Sequence, residues 1–183
     1  MRLLAQHLLT ATLLIGTAAA QNAPANALPP AAIQPPADSK LILHAYARGV
    51  QVYTCTQVPT DTARYTWTFV EPRASLYSKD DHKVQIGKHY YSDDHYPVWE
   101  QTDGSKVTAV KSQSADAPDT ASIPWLLLKA TAWDGYGVTR ATTYIQRINT
   151  KGGKAPADGA DRLHKGQFIE VPYTAEYLFY KSE

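Results

Sequence analysis

Apolar residues recur at every second position through much of the chain, and no convincing amphipathic helix interrupts the pattern. From Arg64 to Glu71, Tyr65, Trp67 and Phe69 alternate with Thr66, Thr68 and Val70, so one face of a strand carries the rings. Ala175 to Lys181 behaves alike, with Tyr177 and Phe179 on one face and Leu178 and Tyr180 on the other. The longest apolar run beyond the N-terminus, Trp125 to Trp133, is too short for a membrane span, which needs about 20 apolar residues. Leu126, Leu128, Ala130 and Ala132 share one face, and Leu127, Lys129, Thr131 and Trp133 the other. A helix over Leu126–Ala132 is the competing reading. Asp134-Gly135-Tyr136-Gly137 tolerates positive φ and predicts a tight reversal. Val138 to Thr150 follows, rich in β-branched and aromatic residues that suit a pleated surface. Tyr144 and Ile145 are adjacent and would face opposite ways, so this hairpin is expected to be covered on both faces. Gly152-Gly153 ends it.

The remaining pattern adds short strands. Leu41–Ala47 and Val50–Gln57 meet at Gly49 as two strands or one bent strand. Pro72 is expected to stop the Arg64–Glu71 strand, and Ala74–Lys79 to form another before a turn at Asp80-Asp81. Lys83–Tyr90, Val98–Gln101 and Lys106–Gln113 complete the set, with a polar loop over Tyr91–Pro97, a hairpin turn at Asp103-Gly104-Ser105 and loops over Ser114–Ala121 and Lys151–Lys165. Many short strands with frequent turns predict an all-β fold, a single-domain antiparallel β-sandwich or flattened barrel with long loops.

The N-terminus changes the picture of location. Met1-Arg2 gives a positive start, Leu3–Ile15 an apolar stretch, and Ala18-Ala19-Ala20 a small-x-small site. The expectation is a signal peptide over residues 1–20, cleaved after Ala20, and a secreted or periplasmic protein with no integral membrane span after cleavage. An uncleaved anchor is the competing reading. Residues 21–39, rich in Pro and Ala, read as a flexible leader that contributes little core. The β domain proper runs over 40–183. Cys55 is the only cysteine, so no internal disulfide can close, and a small buried hydrophobe is its commoner role. With 18 Lys and Arg against 17 Asp and Glu and no long basic run, nucleic acid is excluded as a partner.

Several segments together resemble the DUF3455 family of exported bacterial and fungal proteins of unknown function. They are Gly49-Val-Gln-Val-Tyr-Thr-Cys55, Asp103-Gly-Ser105, Ile123-Pro-Trp-Leu-Leu-Leu128, Tyr144-Ile-Gln-Arg-Ile-Asn-Thr150 with Gly152-Gly153 and Ala155-Pro156, and Val171-Pro-Tyr-Thr-Ala-Glu-Tyr177. The resemblance runs from about Leu41 to Tyr180. Some fungal relatives carry a dehydrogenase label, which this sequence does not support, having no glycine-rich strand-to-helix turn for a dinucleotide. Two departures from the family pattern stand out. The His89–Trp99 segment is lengthened by Tyr91-Ser-Asp-Asp-His-Tyr96 and lacks a glycine. Ala160 also stands where the resemblance implies a second cysteine that pairs with Cys55.

Candidate chemistry gathers at three places. His82, His89, Asp93, Asp94 and His95, with His44 or His164 in space, are metal-ligand types at spacings that match no ligand motif, and a solvated loop explains them as well. Tyr90, Tyr91, Tyr96 and Trp99, with Trp133 and Tyr136, supply rings for a flat apolar or sugar ligand or simply fill the core. Gln146, Arg147, Asn149 and Thr150 beside Gly-Gly, with Lys151 and Lys154, offer a planar fork for a carboxylate, unless Arg147 pairs with Glu170 or Glu176. The candidate binding residues are His89, Tyr91, His95, Trp99, Arg147 and Asn149, with no catalytic residue, metal or cofactor assigned. The sequence predicts a non-catalytic binding or surface-interaction module for a small molecule or glycan. The alternative is a metal-dependent or hydrolytic enzyme built on the His89–His95 loop.

Overall fold

The computed structural model describes residues 28–183. The expected signal peptide and its cleavage site lie outside the described residues. Eight strands form one closed antiparallel barrel in chain order: β1 (Ser39–Val58), β2 (Asp61–Tyr77), β3 (Gln85–Tyr91), β4 (Pro97–Gln101), β5 (Lys106–Ala115), β6 (Trp125–Asp134), β7 (Tyr144–Gly152) and β8 (Phe168–Ser182). Closure comes from β1 against β8, paired from Ser39↔Ser182 to Thr54↔Phe168. Closure removes edge strands, although residues 61–73 of β2 extend past β3, which pairs only Ala74–Tyr77. Among the described residues no helix is long and apolar enough to cross a membrane.

β1 is the single bent strand that the pattern allows, and β2 is longer than the pattern predicts. The Leu41–Ala47 and Val50–Gln57 runs are one strand, and Pro72 does not stop β2, which absorbs Ala74–Tyr77. Pro72 is tolerated because it stands beside the register shift between Val52 and Tyr53, where the ladder is already irregular. Gly49 lets the strands approach there, since a Cβ on it would lie 2.0 Å from the Arg73 carbonyl oxygen.

The interior core contains Ala45, Ala47, Leu76, Trp99, Val107, Leu128, Ile145, Tyr177 and Phe179. Outward positions carry ion pairs such as Lys88–Glu100 and Arg73–Glu170. This distribution is the reverse of a lipid-facing barrel, whose apolar band faces out. The expected double coverage of the Trp125 stretch is present. Leu126 and Leu128 face the interior core, while Trp125 and Leu127 join Ile148 and Ile33 in a second cluster on the outside.

The expectation for residues 21–39 is little core, and Ile33 is the part of that segment that does contribute. A 3₁₀ turn at Ala31–Ile33 seats its side chain, fully buried, on the outer face of β6 and β7. Its carbonyl accepts a bond from Gln146 Nε2 at 2.8 Å. A single branched side chain in a Pro/Ala segment is enough to anchor it, because the outer face of β6–β7 is itself apolar and needs cover.

The expected tight reversal after β6 is also different. Residues 135–143 form a longer connection with a 3₁₀ turn at Val138–Ala141, and β6 pairs with β7 only from Leu126↔Arg147 to Lys129↔Tyr144. This connection plugs one end of the barrel. Thr139 and Thr142 are fully buried there, and Thr139 Oγ1 donates to Ser105 Oγ at 2.9 Å. Asp103 of the Asp-Gly-Ser turn accepts from the Val138 N–H at 2.8 Å and from the Ser105 hydroxyl at 2.7 Å. These donors hold its carboxyl below the usual range, with Ser105 contributing most. The opposite end gathers the β1–β2, β3–β4, β5–β6 and β7–β8 connections, and there the interior is not filled.

Candidate functional site

A cavity of about 420 Å³ occupies the unplugged end of the barrel. Eight strands enclose an interior just wide enough for packed side chains or for one small ligand. Here the plugged half is packed and the other half is not. Leu126, Leu128, Ile123, Pro124 and Pro97 give the cavity apolar walls. Its rim is a chain of rings, with Tyr53 edge-on to Phe69 at 5.6 Å and Phe69 edge-on to Tyr91 at 5.7 Å. Phe69 and Lys111, both exposed, mark where it reaches solvent.

Inside, the imidazole of His89 stacks on the Trp99 indole, centroids 4.3 Å apart, and Tyr177 stands edge-on to both rings. Nδ1 of His89 lies 2.9 Å from the Val98 carbonyl oxygen. Burial pushes its pKa down to about 3, with a smaller push from the Arg147 charge, so the ring is neutral across ordinary pH. Burial raises the phenol pKa values of Tyr53 and Tyr91, and Arg147 opposes the shift at both. The field of one guanidinium thus reaches three groups around the cavity.

Arg147 stands two residues after Ile145 on β7 and shares its face, and Ile145 belongs to the interior core. Its Nε and one terminal nitrogen donate to the Pro124 carbonyl at 3.2 and 2.8 Å. That carbonyl sits in the β5–β6 connection, whose end is tied down in turn. Thr150 Oγ1 donates to the Ile123 carbonyl at 2.6 Å, and Ile123 N–H donates to the Gly152 carbonyl at 3.0 Å. The remaining terminal nitrogen of Arg147 has no partner among the described residues. Neither sequence-based partner, Glu170 or Glu176, pairs with it. Glu170 takes Arg73, and Glu176 takes His44 and Asn149.

Three lining side chains bring buried polar atoms to this interior, Gln51 Nε2, Trp99 Nε1 and the Tyr177 hydroxyl. The Tyr173 hydroxyl interacts with both Gln51 and Tyr177, so of the three Trp99 Nε1 is left without a partner among the described residues. Buried polar groups are nearly always paired, and leaving one unpaired costs about 1–3 kcal/mol. All three can donate. No lining residue carries a carboxylate, while Arg147 and Lys111 supply positive charge.

Four of the six residues singled out from sequence, His89, Tyr91, Trp99 and Arg147, line this cavity. The other two do not. His95 lies exposed in the β3–β4 turn at φ 62°, where the inserted residues make a reversal. Asn149, at φ 49°, donates to Glu176 Oε1 at 2.9 Å in a network with His44. His95 belongs elsewhere because it lies in a turn rather than a strand, and Asn149, which shares parity with Arg147, because it falls where the register shifts between Ile148 and Lys151.

The candidate metal residues are scattered. His82 and His95 sit in successive turns of a meander, hence at opposite ends of the barrel, and His164 takes Asp161 at 2.7 Å. Among the described residues no three His, Cys, Asp or Glu groups are placed to hold a metal ion. His89 and His95, which the hydrolytic alternative joins, face different surroundings: one buried in the barrel, one in solvent. Gly-Gly is tied into the neighbouring segments rather than open as a pair of amides. Gly152 N–H is held by Ser122 Oγ at 2.9 Å, and the Gly153 carbonyl accepts from the Tyr53 hydroxyl at 2.7 Å.

Gln51 and Tyr177 are the residues the sequence did not single out as candidates. Gln51 shares parity with Ala45, Ala47 and Gly49, so a polar residue inside an inward apolar stripe was the available clue.

Fold and site together define an up-and-down β-barrel, plugged at one end and hollow at the other. The family model described as "Protein of unknown function (DUF3455)" matches residues 36–181, and the protein belongs to this family. No curated protein and no solved structure matches the chain.

Proposed function

We propose that the protein is a non-catalytic binding module that takes a small, largely apolar molecule into the hollow end of its barrel. The observation that carries this is an apolar cavity of about 420 Å³ whose floor carries the buried indole N–H of Trp99, unpartnered among the described residues. That volume falls in the range of small-molecule sites, which combine apolar walls with a few placed polar groups. A bound acceptor satisfies that donor, so occupancy removes its desolvation cost. The neutral, hydrogen-bonded His89 fits a positioning wall better than a proton-transfer group, since a general base works best with a pKa near the operating pH.

Export belongs to the same proposal. It rests on the Met1–Ala20 pattern, and mass analysis of protein from its native compartment tests it, with Gln21 as the expected first residue. A thermal-shift screen of apolar small molecules, organic acids and glycans tests binding. Stabilisation by one of the first two groups, abolished by the cavity-filling Leu126→Trp substitution, supports the proposal. Stabilisation by glycans alone, unaffected by that substitution, places the interaction on exposed rings such as Tyr96 and contradicts it.

A further inference from the structure

We propose that the ligand is an organic carboxylate with an apolar body, its acid group held by Arg147 and the body lying between the rim rings and the Trp99 floor. This rests on the interior-binding reading above and goes on to name the ligand class. Arg147 is the cationic fork of the cavity. Pro124 fixes the plane of the guanidinium by taking two of its donors, at 3.2 and 2.8 Å, and leaves one terminal nitrogen without a partner among the described residues. A guanidinium already positioned loses little freedom on binding a carboxylate oxygen. Lys111 lies on the same lining and adds positive charge, and no lining carboxylate competes. The Trp99 indole N–H, buried and unpartnered among the described residues, is a donor able to serve a further acceptor atom of the ligand. A phosphate, which takes several charged donors, finds a single partly committed fork here, so a monoanion matches better.

The experiment is a calorimetric comparison of naphthoate with naphthylmethanol, which share a body and differ in the acid group. Wild-type protein is expected to bind the acid about tenfold tighter, the scale of one hydrogen bond to a charged group. Arg147→Gln is expected to erase that preference while leaving the alcohol within about twofold, and Arg147→Lys to retain part of it. Equal binding of acid and alcohol by the wild type overturns the carboxylate assignment and leaves interior binding standing. A preference that survives Arg147→Gln overturns the role of Arg147. Binding of neither compound, with no other apolar ligand detected in the thermal-shift screen, overturns the interior-binding reading as well. Should Arg147→Gln not fold, the wild-type comparison of the two compounds decides the ligand class.

Discussion

The imidazole of His89 lies on the indole of Trp99 with ring planes only 12° apart, and the pair forms the floor of the cavity. The ring is neutral, because burial holds the His89 pKa down to about 3 against a reference of 6.5. Between those values the unfolded chain takes up a proton that the folded chain refuses. The unfolded state binds more protons, so stability rises with pH across that window and is lost as pH falls through it. The loss per unit approaches about 1.4 kcal/mol. Carboxylates such as Glu176, whose pKa the His44 contact lowers, add to the loss only below their own reference values. Urea unfolding between about pH 4.5 and 6.5 is therefore expected to show a steeper pH dependence in the wild type than in His89→Phe.

Ile33 predicts a role for the segment ahead of β1. Replacing it with Ala is expected to cost about 2–4 kcal/mol of unfolding free energy, the range for a buried aliphatic side chain. Leu28→Ala, at a residue 90% exposed, is the matched control and is expected to change little. Equal effects of the two substitutions would show that the Ile33 contact with Trp125, Leu127 and Ile148 contributes nothing.

Gly153 predicts a strict requirement. Its φ is +82°, and a Cβ there would lie 2.8 Å from Tyr173 Cβ. Gly153→Ala is expected to destabilise by about 2–4 kcal/mol, from left-handed strain and overpacking together. Denaturant midpoints with an unchanged slope measure this directly. Gly159→Ala is a useful partner: φ is +83° but nothing stands near its Cβ, so only the strain remains and a smaller loss is expected.

Cys55 is buried, with Sγ 3.5 Å from the Asp161 carbonyl oxygen, and its backbone is bonded on both sides to the β7–β8 connection through Gln167 and Gly166. A thiol reagent is expected to label it only as fast as that connection opens or the protein unfolds. Immediate stoichiometric labelling under native conditions would contradict this placement.

The strand content was legible because alternation is a direct record of which side chains face the core. Tyr177 with Phe179, and Leu126 with Leu128, were separable from their neighbours by parity alone. Closure was not legible, since the pairing of β1 with β8 joins residues far apart in sequence and leaves no local trace. The plug was hidden for a related reason: Val138–Ala141 contains β-formers, and only tertiary contacts with Ser105 and Asp103 turn them into a 3₁₀ turn. His89, Tyr91, Trp99 and Arg147 emerged from residue type, whereas His95 and Asn149 have the same chemistry but sit in a turn and at a register shift. Gln51 was overlooked because an amide in a strand looks like a solvated residue until its parity with Ala45 and Ala47 is noticed.

The most direct test follows the indole N–H resonances of the four tryptophans during titration with naphthoate. Trp67 and Trp133 donate to the backbone carbonyls of Asp158 and Thr142, and Trp125 belongs to the outer cluster. Trp99 alone faces the cavity with its donor unpartnered. A saturable shift of the Trp99 resonance, with the other three nearly still, is the predicted result. Shifts confined to Trp67, Trp125 or Trp133, with Trp99 unmoved at saturation, would contradict a ligand inside the barrel.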